Sequence, residues 1–358
     1  MKHDNTMKLD TFKEIFRTSF PDTDEWCDWF FGAVPCEDGI YIARTADGNA
    51  ASALLVQPYD FLYEGKALPT AYVSCVATRP EYRSRGLASA LLKDALLEVY
   101  NKGFVMAELI PAEDHLYYFY SRQGFSTVFY ADEGHYTSLH TFRSGRGKLV
   151  EPSYELFHEL ELEQGCGIIH SKTDYDNILA DMKLDGDPVV LAATDDEGRS
   201  AMLFAVADGD EAVKVKWLLG ESKYAVRTLL VELRRIVGQK DITVITPPYS
   251  GDKGLMRPYG MARILRPGAF LSDLALSHPE LRLTVRIDDD LIPSNTGIYT
   301  VADGKCVFVA GTDASHDIRA DLDVTAEAFT AIVFSRHSTS EIIGLPASRP
   351  AMGLMLDQ

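Results

Sequence analysis

The chain has 358 residues, a formal net charge of −18, 46% hydrophobic and 25% charged residues, the balance of a folded soluble protein with two or three domains. The acidic balance argues against non-specific nucleic-acid binding, which needs basic side chains against phosphates, and favours cationic partners. No run is apolar and long enough to span a membrane, the N-terminus lacks the apolar stretch of a signal peptide, and five scattered cysteines without a C-x-x-C pair fit a reducing cytosol rather than a disulfide framework or a zinc site.

From Gly39 the pattern is strand, turn, strand. Gly39 to Ala43 is apolar and β-prone, Asp47-Gly48 signals a hairpin, and Ala51 to Val56 returns. Glu64-Gly65-Lys66 is a further turn before a strand from Ala71 to Ala77. That strand breaks at Pro80, and a loop carrying Arg83 and Arg85 leads through Gly86 into a helix reaching about Asn101. The helix is apolar apart from a narrow stripe of Ser89, Lys93 and Glu98, so the pattern predicts packing on more than one side. Gly103 ends it, and Phe104 to Ile110 reads as the next strand.

The loop is the most informative segment. A glycine-opened helix start exposes backbone N–H groups at the positive end of the helix, which suits a diphosphate. Gly86 and Ala88 allow close approach of an anion, and the arginines add full charge.

A similar order of elements follows. Val189 to Thr194, Ala201 to Ala207 and Ala212 to Leu219 read as strands, Ser222 to Val237 as a helix, and Ile242 to Ile245 as a closing strand. Where the first copy has its glycine and arginines, this one has Leu219-Gly220-Glu221-Ser222-Lys223, acidic where a diphosphate would lie. From about His278 come four more strands, at Leu281 to Ile287, Gly297 to Val301, Lys305 to Val309 and Asp321 to Val324. A helix from Ala326 to Phe334, capped by Thr325, completes a small α+β module.

Arg83, Gly86 and Ala88 fill the R-x-x-G-x-A acetyl-CoA loop of the GCN5-related N-acetyltransferases, which this segment resembles. The whole chain resembles the enhanced intracellular survival (Eis) acetyltransferases. The resemblance implies an α/β (α+β) chain of two tandem acetyltransferase folds, the second degenerate, and a sterol-carrier-protein-like domain. The expected boundaries are 1–150, 151–277 and 278–358. It also implies acetyl transfer from acetyl-CoA to a primary amine (a small polyamine, an aminoglycoside-like amine or a lysine), without a metal, nucleic acid or membrane partner, by a cytoplasmic homohexamer.

By motif, Ser74, Cys75 and Val76 match the strand that meets the acetyl-pantetheine arm, and Arg83, Ser84, Arg85, Gly86, Leu87, Ala88 and Ser89 match the pyrophosphate loop. Tyr120, in Phe119-Tyr120-Ser121-Arg122-Gln123-Gly124-Phe125, matches the tyrosine that protonates the leaving thiolate. The resemblance assigns the base to the terminal carboxylate, here that of Gln358. The tail from Ala351 to Leu356 is apolar and alternates as a buried strand would. Glu113, Asp114, His115, His135 and His140 are the other candidate bases. A different class of function, a coenzyme A- or lipid-binding regulatory protein without transferase activity, is the alternative; the intact loop together with Tyr120 favours the enzyme.

Overall fold

A computed structural model describes the chain over residues 2–34, 38–248, 256–311, 319–335 and 343–356, with side chains from Met7 onward. Its contacts divide it into two units. The first comprises Met1–Val128 and Gly260–Ser348, the second Phe129–Tyr259 and Arg349–Leu356.

In the first unit, two helices precede the sheet, α1 (Lys2–Phe16) and α2 (Asp24–Ala33). Thr23 caps α2 by accepting from the N–H of Trp26, leaving an apolar face of Cys27, Phe30 and Phe31 to bury. Strands β1 (Ile40–Arg44), β2 (Ala50–Tyr63) and β3 (Lys66–Thr78) then form an antiparallel run. The β2–β3 hairpin is longer than its apolar segments suggested. It closes at Tyr63 and Lys66 through Glu64 and Gly65, both at positive φ, the backbone a tight two-residue hairpin turn requires.

Helix α3 (Leu87–Asn101) carries the chain back to β4 (Met106–Leu109), which pairs parallel with β3. The helix buries one stripe, Leu91, Leu92, Ala95, Leu96 and Val99, against Leu54, Val56, Ala71, Val73 and Leu109. Each of the leucines and valines contributes about 1.5–3 kcal/mol when fully buried. Lys93, Asp94 and Glu98 face solvent, so α3 covers one side of a sheet instead of being enclosed. Its end is a glycine-terminated turn at Gly103, with the Phe104 N–H bonded to the Val99 carbonyl. A short helix, α4 (Asp114–Ser121), follows.

The second unit takes most of β5 (Ser126–Tyr136), then β6 (Lys148–Val150), α5 (Tyr154–Gln164), β7 (Cys166–Ile169), α6 (Lys172–Leu184), β8 (Val189–Thr194), β9 (Ser200–Asp208), β10 (Ala212–Leu219), α7 (Lys223–Val237) and β11 (Asp241–Thr246). Its strand order is β5-β11-β10-β9-β8-β6, with β10 and β11 the parallel pair joined by α7. The chain re-enters the first unit within β12 (Met256–Ile264), whose second half pairs antiparallel with β4.

There α8 (Pro267–Ser277) starts at a proline, which has no N–H to leave unsatisfied at a first helical position. Four strands follow, β13 (Leu283–Asp288), β14 (Gly297–Ala302), β15 (Lys305–Ala310) and β16 (Leu322–Thr325), ordered β15-β14-β13-β16. The last helix, α9 (Ala326–Val333), is capped by the Thr325 side chain accepting from the Ala328 N–H.

Candidate functional site

The ladder between β3 and β4 has three rungs and ends at Tyr72 opposite Glu108. Beyond it β3 runs on to Thr78 while β4 stops at Leu109. An opening between two parallel strands therefore begins at this rung. Ser74, Cys75 and Val76 line the β3 side of it. All three belong to a strand whose register against β2 shifts between Ala53 and Leu55, and Cys75 sits at φ +52°. A bulge of this kind puts one backbone group out of the ladder and re-aims the strand. Ser74 Oγ donates to Gln57 Oε1 at 3.1 Å across the hairpin.

The loop between β3 and α3 is exposed. Arg83 Nε donates to the Thr78 carbonyl at 3.0 Å and its Nη2 lies 3.4 Å from Ser19 Oγ, so this side chain braces the loop. The guanidinium of Arg85 stacks over Tyr82 at 5.5 Å. Ser84 and Gly86 both have positive φ, and Gly86 is the N-cap of α3 with no side-chain cap. A Cβ at Gly86 would meet no atom within 4 Å. The start of α3 is thus open at Leu87, Ala88 and Ser89, with the positive helix end facing outward. Alternating left-handed residues in such a turn aim successive N–H groups into a concavity that binds anions.

The corresponding helix of the second unit is closed. Ser222 caps α7 by accepting from the Ala225 N–H at 3.2 Å and donates to Asp195 Oδ2 at 2.5 Å. Hydrogen bonds from Ser222, Arg199 and the Glu197 N–H hold the Asp195 carboxyl down to about 2. A capped helix start beside a permanent carboxylate repels a diphosphate. Gly220 is packed there, since a Cβ would stand 2.5 Å from the Ser200 carbonyl oxygen. A bulky substitution at Gly220 would therefore disturb the fold, and Lys223, exposed in the first turn of α7, is the better control position.

Tyr120 is buried near the end of α4, against Phe119 and Phe125. The helix terminates in a Schellman turn: the Phe125 N–H reaches the Tyr120 carbonyl, the Gly124 N–H reaches that of Ser121, and Gly124 has φ +82°. Gln123 links this turn to the first turn of α3, its Nε2 lying 3.4 Å from Ser89 Oγ. The Gln123 carbonyl accepts from Arg263 Nη1 at 3.2 Å, and Arg263 is fixed by Asp289 at 2.6 Å.

Among the other candidate bases, Glu113 and His115 form an exposed pair at the start of α4. His135 pairs with Glu133 in the second unit, and His140 packs tilted and edge-on against Tyr136 and Phe142. Gln358 lies outside the described residues. The tail before it is buried, but not as an alternating strand. Residues Ala351 to Leu356 are all buried, Ala351 makes a single bridge to Gly167 of β7, and Leu354 has φ +57°. Gly353 lies against Trp217, where a Cβ would come within 2.4 Å of the ring.

One buried group was not anticipated from the sequence. Glu108 is fully buried and both carboxyl oxygens lack a hydrogen-bond partner among the described residues. Burial pushes its carboxyl up to about 8, and the nearby Thr70 hydroxyl offsets this only in part. A lone Glu in the apolar run Met106-Ala107-Glu108-Leu109 was the available signal. A cavity of about 880 Å³ lies elsewhere, at the other end of α3, lined by residues including Lys8, Phe31, Tyr41, Glu98 and Lys102. Glu98, the first α3 residue lining it, is twelve residues beyond Gly86, about 18 Å along the helix.

Residues 2–128 match the family model described as the acetyltransferase (GNAT) domain. Over these residues, about a third of the chain, the sequence is similar to that family. No curated protein matches the sequence. Several solved structures share the fold. A probable N-acyltransferase from Enterococcus faecalis superposes with a TM-score of 0.73 at 17% identity, covering 95% of this chain and 90% of that one. A GCN5-related N-acetyltransferase from Kribbella flavida gives 0.69 at 18%, covering 95% and 89%. Eis1 from Mycobacterium abscessus gives 0.66 at 14%, covering 96% and 91%. The likeness to each is one of fold, and it extends beyond the acetyltransferase domain to nearly the full length.

Proposed function

We propose that the chain transfers an acetyl group from acetyl-CoA to a primary amine, by direct attack of the amine on the thioester. The observation that carries this reading is the contrast between two helix starts. That of α3 is an uncapped glycine flanked by Arg83 and Arg85, whereas that of α7 is closed by Ser222 and Asp195. The diphosphate then lies on Arg85 to Ser89, and the pantetheine arm enters the opening beside Ser74, Cys75 and Val76. A backbone N–H of that segment stabilises the oxygen of the tetrahedral intermediate.

Departure of the coenzyme thiolate needs a proton, which the Tyr120 hydroxyl supplies. The α-carboxylate of Gln358 is the proposed partner of the acceptor's ammonium group. With an ordinary value near 3.5 it is a weak base, suited to drawing in and orienting a cation. The acceptor is a polyamine, an aminoglycoside-like amine or a lysine, in keeping with the net charge of −18. We read the second unit's β8–β11 region as the degenerate acetyltransferase copy, the last α+β module as sterol-carrier-like, and the assembly as a hexamer, on the Eis resemblance.

The test is release of free thiol from acetyl-CoA over a panel of spermidine, tobramycin and a lysine peptide. On the best acceptor Tyr120→Phe should keep acetyl-CoA affinity and lose about a hundredfold in turnover. Normal turnover by Tyr120→Phe would return the tyrosine to core packing.

A further inference from the structure

Glu108 lies in the last rung joining β3 to β4, at the origin of the opening between them. Residues paired across neighbouring strands point to the same face, and so do residues two apart on one strand. Glu108 therefore shares a face with Tyr72, Thr70 and Ser74, and with Gln57, which pairs with Tyr72. Thr70, Ser74, Gln57 and Glu108 make a buried polar strip on an otherwise apolar face. Strand spacing puts the Cα of Glu108 roughly 8 Å from that of Ser74.

Among the described residues no cation pairs with this carboxyl. The nearest cation by register is Arg263, which follows Ala262, the residue opposite Glu108 on β12. Its guanidinium is committed to Asp289 and the Gln123 carbonyl. A buried, unpartnered carboxyl is costly, and such groups cluster where a ligand brings the missing partner.

We propose that Glu108 is the proton acceptor of the reaction: it meets the ammonium group of the acceptor in the opening between β3 and β4 and takes its proton. This rests on the transferase reading above. The step balances. Ionised Glu108 takes one proton from R–NH3+, and the free amine attacks the thioester carbon to form the C–N bond. As the C–S bond breaks, the thiolate takes the Tyr120 proton, and the tyrosinate recovers it from the second N–H lost by the nitrogen. Protonated Glu108 then releases its proton to solvent, so one proton appears per amide formed.

The position of the carboxyl near 8 suits this exchange, being close to both neutral pH and the pKa of an amine. The groups facing it are Thr70 and Tyr72 of β3, with Arg263 of β12 turned away. Among the described residues no charged side chain enters its shift, which comes from burial.

The experiment is the pH dependence of kcat/KM for the full chain and for Glu108→Gln, with acetyl-CoA and the best amine of the panel. In the wild type kcat/KM should climb about tenfold per pH unit and level off near 8, because ionised Glu108 and charged amine react together. In Glu108→Gln it should be about a hundredfold lower at pH 8 and keep rising toward the amine's own pKa, with acetyl-CoA affinity unchanged. The amide keeps the shape and removes a buried ionisable group, so the variant folds at least as well. A protonated-carboxyl infrared band that titrates near pH 8 in the wild type and is missing from Glu108→Gln provides a readout independent of turnover. A variant that is slower with the same pH midpoint, or as fast as the wild type, overturns the proposal alone. A wild type inactive on every amine overturns the transferase reading and this proposal with it.

Discussion

Glu108 also makes a stability statement that needs no substrate. Below about pH 4.5, the ordinary carboxyl value, it is protonated folded or unfolded and has no influence. As pH rises from there toward 8 the unfolded chain ionises while the folded one does not, so stability declines across that window. Above it the loss is constant, on the order of 5 kcal/mol. Glu108→Gln should therefore gain on the wild type steadily between pH 5 and pH 8 in urea unfolding, by about 3 kcal/mol or more at the upper end. Parallel stability profiles would mean that the carboxyl is solvated or paired. Such an exchange of stability for activity is the ordinary signature of a working residue held in an unfavourable place.

At the scale of elements, the end of α4 depends on a residue far away in sequence. Arg263 fills the space beside Gly124 so closely that a Cβ there would overlap its guanidinium, 1.5 Å from Nη1. It reaches Asp289, whose other oxygen accepts from Asn295 Nδ2 at 2.9 Å. The pair is thus buried and joined through both terminal guanidinium nitrogens, and it anchors the turn after Tyr120. Arg263→Met leaves Asp289 buried and charged without its cation, and should cost about 3–5 kcal/mol in chemical unfolding, much of it recovered by making Asp289→Leu as well. A loss under about 1 kcal/mol for the single change would show the pair to be solvent-screened.

The sequence made the strands flanking the loop, the glycine stops at Gly103 and Gly124 and the Thr325 cap readable, because local chemistry decides each of them. It concealed others for physical reasons. Pro58 and Asp60 disguised the continuation of β2 to Tyr63, a hairpin stabilised across the ladder instead of by its own composition. Pro267-Gly268 has the composition of a turn and is a helix start. Asp289, in a run of three aspartates whose composition suits an exposed turn, is buried with a partner 26 residues earlier. Long-range pairing of that kind leaves no periodic trace. Of the proposed site, the glycine and arginines of the β3–α3 loop were legible in the sequence, whereas Glu108 needed the register of β3 against β4.

For the whole molecule, one chain carries two strand-helix-strand crossings with parallel pairs, and only the first has an open helix start. The central claim is that acetyl-CoA uses that one alone. Titration calorimetry of acetyl-CoA into the full chain should give one site per chain. Gly86→Glu, which places a carboxylate at a left-handed position on the diphosphate path, should abolish binding, while Lys223→Glu on the second unit should leave it intact. Two sites per chain, or undiminished binding by Gly86→Glu, would contradict the account.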